Sequence, residues 1–383
     1  MGIEPIFNAD NWALVPFHFW SVVFFVFGTM VGSFLNVVIH RLPIGESIVS
    51  PPSHCPHCNY SIPWYLNIPL VTWLWLRGKC ANCRAHISPR YFLVELLTGI
   101  AFLSCWLAFG SRSPALALVY CLFLAGLIAA TFIDFEHLII PDEITFGGIG
   151  VGILFSFLVP ALHGETSITA SMKAGIVGAV IGGGLVYIVL RAGKQLFGKQ
   201  RLQVAPGSKI VFGETTLVLP DKEIPYEEIF YRKSDTIVVP AQFVELIDRS
   251  YGATTVRVSP HKLLIGKDHF NPEQVPHLEA VTQGEIIVPR EAMGLGDVKF
   301  MAAIGAFLGW PAVIFSLMAS SIIGSIVGIT LIALRRAAWS GRLPYGPYIA
   351  FAAIIFLFLP ANIQQAWEAN LRLFGNLFGV MFN

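Results

Sequence analysis

Long apolar stretches alternate with polar inserts along this chain. The stretches are about 20 residues long, which is the length that a helix needs to cross the hydrocarbon of a bilayer. The pattern therefore predicts an α-helical polytopic membrane protein with about eight transmembrane helices. The expected spans are Phe17–His40, Tyr91–Phe109, Pro114–Ile133, Glu143–Leu162, Met172–Arg191, Glu291–Trp310, Ala312–Leu334 and Tyr345–Pro360.

The sixth span depends on where its helix begins. From Val298 to Trp310 a helix is only about 20 Å long, too short to cross a bilayer. A crossing is predicted only if the helix starts near Glu291. That start would place Asp297 just inside the membrane edge rather than in water.

Composition agrees with a membrane protein. The 383 residues are 55% hydrophobic and 13% charged, whereas a soluble domain carries roughly a quarter charged residues. No Lys or Arg precedes the first apolar run, so that run is expected to be a retained helix and not a cleaved signal peptide.

The distribution of Lys and Arg predicts the orientation. With the N-terminus outside, all but three of the 25 Lys and Arg residues lie on the inner side, in line with the positive-inside rule. The three exceptions are Arg112, Lys173 and Arg372. A sixth run that did not cross would move Arg335, Arg336 and Arg342 to the outer side, so eight spans are favoured.

Two hydrophilic inserts are predicted on the inner side, at 41–90 and 192–289. Short alternating segments in the second predict a small β-rich domain. They are Lys209–Val211, Thr216–Leu219, Thr236–Val239, Thr255–Val258 and Glu285–Val288. Pro225-Tyr226-Glu227-Glu228 before Ile237 echoes Pro276-His277-Leu278-Glu279 before Ile286, which suggests two units. A spacer module without chemistry is the favoured interpretation of this insert.

The predicted domains follow from these inserts. They are 1–40 (tail and first span), 41–90 (cysteine loop), 91–191 (spans two to five), 192–289 (β-rich insert) and 290–383 (spans six to eight and tail). The triplet Gly182-Gly183-Gly184 falls inside the fifth span. Because no strand precedes it, close packing of membrane helices is favoured over a nucleotide-binding loop.

Two C-x-x-C pairs lie in the first insert, Cys55/Cys58 and Cys80/Cys83. Four thiolates at this spacing can close a tetrahedral Zn²⁺ site. Such a site has no open coordination position, so the metal is predicted to be structural. Unmetallated thiols or a redox pair are the alternative. Cys105 and Cys121 lie in apolar runs and are expected to be packing residues.

Three aspartates are predicted at the inner ends of spans. Asp134 ends the third span, Asp142 begins the fourth, and Asp297 stands in Gly294-Leu295-Gly296-Asp297. Two carboxylates at one depth can share a proton, so that one activates water and the other polarises a carbonyl. Asp142 is also suited to cap a helix. A negative charge at Asp134 opposes the dipole of its own helix, so Asp134 and Asp297 are the predicted catalytic pair.

Other functions remain open on these residues alone. The same aspartates could serve an ion- or proton-coupled carrier, and the cysteines could serve a zinc-dependent membrane scaffold. Proteolysis predicts a peptide product, a carrier predicts coupled uptake, and a scaffold predicts no dependence on the aspartates.

The motifs taken together resemble the bacterial type IV prepilin peptidases, membrane aspartic proteases with a G-x-G-D motif. The matching stretches are Gly32–Pro43, the two cysteine pairs, Asn67–Trp73, Arg90–Leu97, Ile133–Asp142, Gly294–Lys299 and Pro344–Tyr348. They occur in the family's order and cover most of the chain outside the second insert.

The resemblance implies an enzyme that removes the leader from prepilins and pseudopilins at the cytoplasmic face of the bacterial inner membrane, for type IV pili and type II secretion. It implies methylation of the new N-terminus with S-adenosylmethionine, although a peptidase without that activity stays an alternative. Asp134 and Asp297 match the catalytic aspartates, and Cys55, Cys58, Cys80 and Cys83 match the metal ligands. Asp142, Gly294, Gly296 and Lys299 are expected in supporting positions.

Gly78 matches a glycine that the family associates with methyl transfer, although the sequence alone favours a plain turn before the second cysteine pair. The 192–289 insert departs from typical members, which have a short linker there. This departure leaves the role of the insert open: it could contact the prepilin or a pilus or secretion assembly partner, or shield the site. The bilayer is the other expected partner, and no nucleic acid is expected.

Overall fold

The computed structural model describes residues 9–226, 229–230, 235–272, 275, 277–289, 294–334 and 343–377. The chain forms two compact units. One is Met1–Tyr187 together with Leu295–Asn383, and the other is Ile188–Gly294. The first unit is helical and the second is built mainly from strands.

The helices follow the apolar runs. They are α1 (Ala9–Ala13), α2 (Phe17–Arg41), α3 (Val71–Trp75), α4 (Pro89–Cys105), α5 (Pro114–His137), α6 (Asp142–Leu158), α7 (Ile168–Phe197), α8 (Leu295–Ala333), α9 (Gly346–Phe358) and α10 (Ala361–Leu377). Ser88 and Ser113 cap α4 and α5, accepting hydrogen bonds from the backbone N–H groups of Arg90 and Leu116. Both helices have proline in the first turn, where the missing N–H costs nothing.

Five helices within the described residues are long and apolar enough to cross a membrane, or six if the bent α9–α10 pair counts as one span. The fourth predicted span is shorter than expected. α6 ends at Leu158, because Pro160 begins a short 3₁₀ turn and disfavours helix in the residue before it. At 17 residues, α6 is about 26 Å long.

The predicted sixth and seventh spans form one long element, α8. It contains a break at Gly309, whose φ is +77°, two residues before Pro311. Glu291, where the sixth span was expected to begin, lies outside the described residues, and the helix starts at Leu295.

The predicted eighth span is also modified. α9 has 13 residues, about 20 Å of helix, and the chain then turns by 111° into α10. The turn falls at Pro360, which cannot continue a helix. α10 is amphipathic and was not predicted from the sequence.

Glycine allows α7 and α8 to pack closely. A Cβ at Gly178 would lie 2.1 Å from the carbonyl oxygen of Gly305, and one at Gly182 would lie 2.4 Å from that of Met301. Any side chain there would force the helices apart. The packing predicted for Gly182–Gly184 is therefore confirmed at its first residue, and it fixes the part of α8 that carries Asp297.

The strand-rich unit is one antiparallel sheet. Its strands are β1 (Lys199–Gln203), β2 (Lys209–Phe212), β3 (Thr216–Val218), β4 (Glu223–Pro225), β5 (Ile237–Leu246), β6 (Ser250–Tyr251), β7 (Thr254–Ser259), β8 (Lys262–Ile265), β9 (Asp268–Phe270), β10 (Leu278–Thr282) and β11 (Glu285–Pro289). The order is β4-β3-β2-β10-β5-β7-β8-β9, with β1 on β11, β11 on β5 and β6 on β5.

The two-unit arrangement suggested by the sequence is wrong for the described strands. β2 pairs with β10, and β1 pairs with β11, so early and late segments share ladders instead of folding as successive units. Glu227, Glu228 and Pro276, which carried part of the apparent repeat, lie outside the described residues.

The long strand β5 carries the core of this sheet. Its residues Ile237, Val239 and Ala241 are fully buried, in the alternation that a sheet with one covered face requires. A register shift opposite Val281 and Thr282 follows, and burial resumes at Val244.

Replacing Ile237 by Ala should destabilise the sheet by roughly 2–5 kcal/mol, because a buried aliphatic group is lost and a cavity remains. Hydrogen exchange of the full-length protein should show peptides from 199–289 exchanging at least about tenfold faster. Thr255→Ala, at an exposed position of β7, is the matched control and should change little. Unchanged exchange in Ile237→Ala would contradict a cooperative core centred on β5.

Candidate active site and metal centre

Asp134 lies in the last turn of α5 and is 5% exposed. Its Oδ2 accepts a hydrogen bond from the Gly346 N–H at 2.8 Å. Gly346 is the first residue of α9, whose N-terminal end carries partial positive charge. The carboxylate that opposes the dipole of its own helix therefore meets the favourable end of another.

Gly346 has no side chain because there is no room for one. A Cβ there would lie 2.7 Å from Asp134 Oδ2 and 3.0 Å from Ile140 Cδ1. Gly346 belongs to the matching stretch Pro344–Tyr348, but no role was predicted for it. The available signal was the Gly346-Pro347 pair, since proline in a first turn marks a helix start.

Asp297 lies in the first turn of α8 and is 8% exposed. The preceding residue, Gly296, packs against Ile140, where an added Cβ would lie 3.4 Å from the Ile140 Cβ. Ile140 is thus a common neighbour of Gly346, which binds Asp134, and of Gly296, which precedes Asp297. The structure brings the C-terminal end of α5 and the start of α8 around one buried side chain.

Lys299 joins α8 to α6. Its Nζ donates to Asp142 Oδ1 at 2.5 Å and stands 4.8 Å from the centre of the Phe146 ring. The side chain of Asp142 is 60% exposed, in contrast to the buried pair. It therefore holds the start of α8 in place and is not a third buried acid.

The capping role predicted for Asp142 is wrong. Pro141 occupies the N-cap position, and its side chain makes no capping hydrogen bond. The Asp142 carboxylate binds the Lys299 ammonium instead, because a charged donor makes a stronger bond than a backbone N–H. Gly294 lies exposed immediately before α8.

The four cysteines of the first insert come together. Their sulfur atoms all lie within 4.8 Å of one another. Cys55 and Cys83 are 3.8 Å apart and Cys58 and Cys80 are 4.0 Å apart, sulfur to sulfur. Four sulfurs at 2.3 Å from a tetrahedral Zn²⁺ stand about 3.8 Å apart. The group can therefore hold a metal ion.

Two matching turns present these ligands. Asn59 N–H donates to Cys55 O and Arg84 N–H donates to Cys80 O. Both Asn59 and Arg84 have positive φ, 53° and 61°. Each C-x-x-C pair thus lies in one compact knuckle, and the two knuckles face each other across the cluster.

Backbone donors within the knuckles favour the metal-binding form of two of the sulfurs, those of Cys80 and Cys58. The Cys83 and Asn82 N–H groups lower the pKa of Cys80 to about 6, and the Tyr60 N–H lowers the pKa of Cys58. The Ala85 N–H also lowers the pKa of Cys83, but burial and the three neighbouring sulfurs outweigh it and raise that pKa to about 11. Thiolates are the form that binds metals. The chemistry of the ligands therefore agrees with their geometry.

Gly78 lies just before the second knuckle with φ +65°. A Cβ there would lie 2.9 Å from Cζ2 of the Trp73 indole. A turn explains the positive φ of Gly78. The contact with the indole is a second reason for glycine, because the ring leaves no room for a side chain at residue 78.

Two family models match the segments that carry the cysteines and the aspartates. The N-terminal domain of the bacterial A24 peptidases matches 26–109, and the type IV leader peptidase family matches 121–205 and 272–329. A prepilin leader peptidase/N-methyltransferase of Aeromonas hydrophila is 32% identical over 93% of this chain and 96% of its own length. The chain belongs to the type IV leader peptidase family.

Other relatives support the assignment. A protein with the same description from Pseudomonas aeruginosa is 28% identical over 89% of this chain and 90% of its own length. One from Myxococcus xanthus is 48% identical over 36% of this chain and 41% of its own length. No solved structure matches. The family resemblance that the motifs predicted is therefore confirmed.

The matched segments include all the site residues predicted from the sequence, whereas Gly346 lies outside them. The N-terminal model spans the four cysteines and Gly78, and the peptidase model spans Asp134 and Asp297. Residues 206–271, in the strand-rich unit, fall between the two matched parts of the peptidase model.

Proposed function

We propose that this chain is an aspartic endopeptidase that removes the leader from type IV prepilins and pseudopilins. The observation that carries the proposal is a pair of buried carboxylates, Asp134 and Asp297. Gly346, which binds Asp134, and Gly296, which precedes Asp297, both lie against Ile140. Buried acids at the edge of apolar helices are costly and are kept for function. The names of the relatives agree with this chemistry.

In this proposal one aspartate is ionised and the other protonated. The ionised carboxylate takes a proton from a water molecule as that water attacks the scissile carbonyl, and the protonated one donates to the carbonyl oxygen. The Gly346 N–H orients the Asp134 carboxylate through Oδ2, which leaves Oδ1 for water. Lys299 is paired with Asp142 and serves as a positioning residue.

The proposal includes the predicted topology of eight spans with the N-terminus outside. In this topology the aspartates and the cysteine loop face the cytoplasm, where a prepilin leader lies while its hydrophobic helix stays in the bilayer of the inner membrane. The insert is proposed to contact the prepilin or an assembly partner.

The decisive experiment uses the purified full-length protein in detergent with a prepilin substrate. Mass spectrometry of the product should show one cut at the leader boundary. With S-adenosylmethionine present, the new N-terminus should gain one methyl group. Proton-coupled uptake in liposomes without any peptide product would instead establish the carrier alternative. Cleavage with an unmodified amine would leave a peptidase without methyl transfer.

We also propose that the cysteine cluster holds one structural Zn²⁺ ion. Cys80→Ser should reduce bound zinc from one ion per chain to near zero, because a three-sulfur site binds far more weakly and the loop has little core of its own. Metal analysis of the purified protein measures this. Cys121→Ser, which changes a buried cysteine outside the cluster, is the matched control and should keep its zinc. A wild-type protein without zinc would contradict the assignment.

A further inference from the structure

The segment between the two cysteine pairs exposes several large apolar side chains. They belong to a 3₁₀ turn, Trp64–Leu66, to the residues after it and to α3. The exposed residues, here called the apolar patch, are Trp64, Tyr65, Ile68, Val71, Leu74 and Trp75, and each is between 43% and 81% exposed. Exposed apolar residues that cluster in this way mark contact with a membrane or a protein.

On α3 the exposed side chains share one face. Val71, Leu74 and Trp75 follow the spacing i, i+3, i+4, which places side chains on the same side of a helix. Trp73 points the other way and packs on Phe92 of α4, with ring centres 5.1 Å apart. α3 therefore rests on α4 with one side and presents an apolar side to its surroundings.

The start of α3 lies well along α4. The N–H of Leu70, just before α3, donates to Glu95 Oε2 at 2.7 Å. α4 begins the candidate membrane span Pro89–Gly110, and Glu95 is about 9 Å from the start of that span. A backbone N–H at such a depth needs a partner inside the protein, and Glu95 supplies one.

The end of α3 returns to the start of α4. Trp73 contacts Phe92, about one turn nearer the start of α4 than the Leu70 contact. The Gly78 carbonyl accepts the Ile87 N–H at 2.8 Å, before α4 has begun. α3 thus runs from inside the candidate span to its edge. This is the level of a bilayer interface, where Trp and Tyr are enriched.

Cationic side chains follow the apolar face. Arg77 and Lys79 come directly after α3, Arg84 lies in the second cysteine knuckle, and all three are exposed. The chain has no Asp or Glu from Ser47 to Val94, so these charges have no acidic neighbour in the loop. An anionic lipid surface attracts Lys and Arg beside a membrane segment. Apolar side chains at depth and cations at the edge match such a surface.

We propose that the apolar patch docks on the bilayer interface, in the leaflet at which α4 begins. Val71, Leu74 and Trp75 lie among the lipid chains. Arg77 and Lys79 bind anionic headgroups. The 41–90 insert, predicted as a hydrophilic loop, is in this part a membrane-bound segment that attaches the metal ligands to the bilayer. The docking requires neither proteolysis nor methyl transfer.

The test asks whether bromine on lipid chains quenches Trp75. Full-length wild-type protein and Trp75→Phe are placed in nanodiscs of phosphatidylcholine and phosphatidylglycerol, with plain or brominated acyl chains. The emission lost in Trp75→Phe is that of Trp75. Bromine should quench most of this emission, and iodide in the water should leave it nearly unchanged. Equal Trp75 emission in plain and brominated discs would overturn the proposal.

Ala81→Trp is the matched control. It adds an indole at an exposed position of the second knuckle, farther along the chain than Gly78, and the added emission should respond to iodide and not to bromine. If Trp75 behaves like this control, the patch faces water. If Trp75 emission changes only when prepilin is added, the patch contacts a protein. Either result contradicts docking on lipid.

A second comparison tests the cations. Bromine is placed either on phosphatidylglycerol or on phosphatidylcholine, at one lipid ratio. Brominated phosphatidylglycerol should quench Trp75 by more than its share of the lipid, because each cation strengthens binding to an anionic surface roughly fivefold. Arg77→Gln/Lys79→Gln should abolish this preference. Arg257→Gln/Lys262→Gln, which removes two exposed cations from the strand-rich unit, should keep it. A wild-type protein without the preference would refute the role of the anionic headgroups.

Discussion

Asp134→Asn and Asp297→Asn will each lower the rate of prepilin cleavage by roughly 10³-fold or more. Losing the general acid or the general base costs about 10²–10⁴-fold, and two carboxylates that share one proton fail together when either becomes an amide. The carboxylates are buried at 5% and 8% exposure, so bulk water does not replace them. Product formation from a prepilin in detergent, followed over hours, measures the loss.

The control for this pair is Glu143→Gln, which removes an exposed acid one residue after Asp142 and should cleave at the wild-type rate. Thermal unfolding and zinc content of the two aspartate variants should match those of the wild type. Cleavage retained in either aspartate variant would refute its catalytic role.

Gly346→Ala will lower cleavage by about 10²-fold while the fold persists. The new methyl group would lie 2.7 Å from Asp134 Oδ2, so the carboxylate or the start of α9 must move. A displacement of about 1 Å at a reacting group can cost about 10²-fold. The decrease should appear in kcat more than in KM, since the displaced group is one that takes part in the chemical step.

Gly126→Ala is the matched control. It changes a glycine in the same helix as Asp134, at a position where an added Cβ meets nothing within 4 Å. The helix should be slightly more stable, and cleavage should be unchanged. Equal activity of Gly346→Ala and the wild type would show that Asp134 does not depend on the N-terminus of α9.

Local chemistry made the key acids and thiols visible in the sequence. Cys55, Cys58, Cys80 and Cys83 were apparent because metal knuckles need two residues between the ligands of each pair. Asp134 and Asp297 were apparent because a carboxylate at the end of an apolar run needs an explanation. Both arguments use a few neighbouring residues and need no knowledge of the fold.

Contacts between distant segments were not visible. The bond from Gly346 to Asp134 joins residues 212 positions apart, and the one from Lys299 to Asp142 joins residues 157 apart. No periodicity or motif reports such pairs. For Asp142 the local capping rule gave the wrong answer, because a lysine from another helix competed for the same carboxylate.

The lengths of the membrane helices were also predicted poorly. Hydrophobicity along the chain showed where apolar segments lie, but the breaks at Gly309 and Pro360 divide or bend them. Proline and glycine were readable at both places. Their effect on the number of crossings depends on the angle at each break, which packing against neighbouring helices decides.

Because β1 pairs with β11, the first and last strands of the strand-rich unit lie side by side. Lys199 stands opposite Pro289 and Gln203 opposite Glu285. The chain therefore enters the sheet and leaves it at two neighbouring points, whose Cα atoms are about 5 Å apart. Any length of chain can be grafted between two such adjacent points without altering the spacing of its ends. Natural relatives can therefore lengthen, trim or exchange 206–271, the stretch that the family model skips, while the proteolytic residues stay where they are.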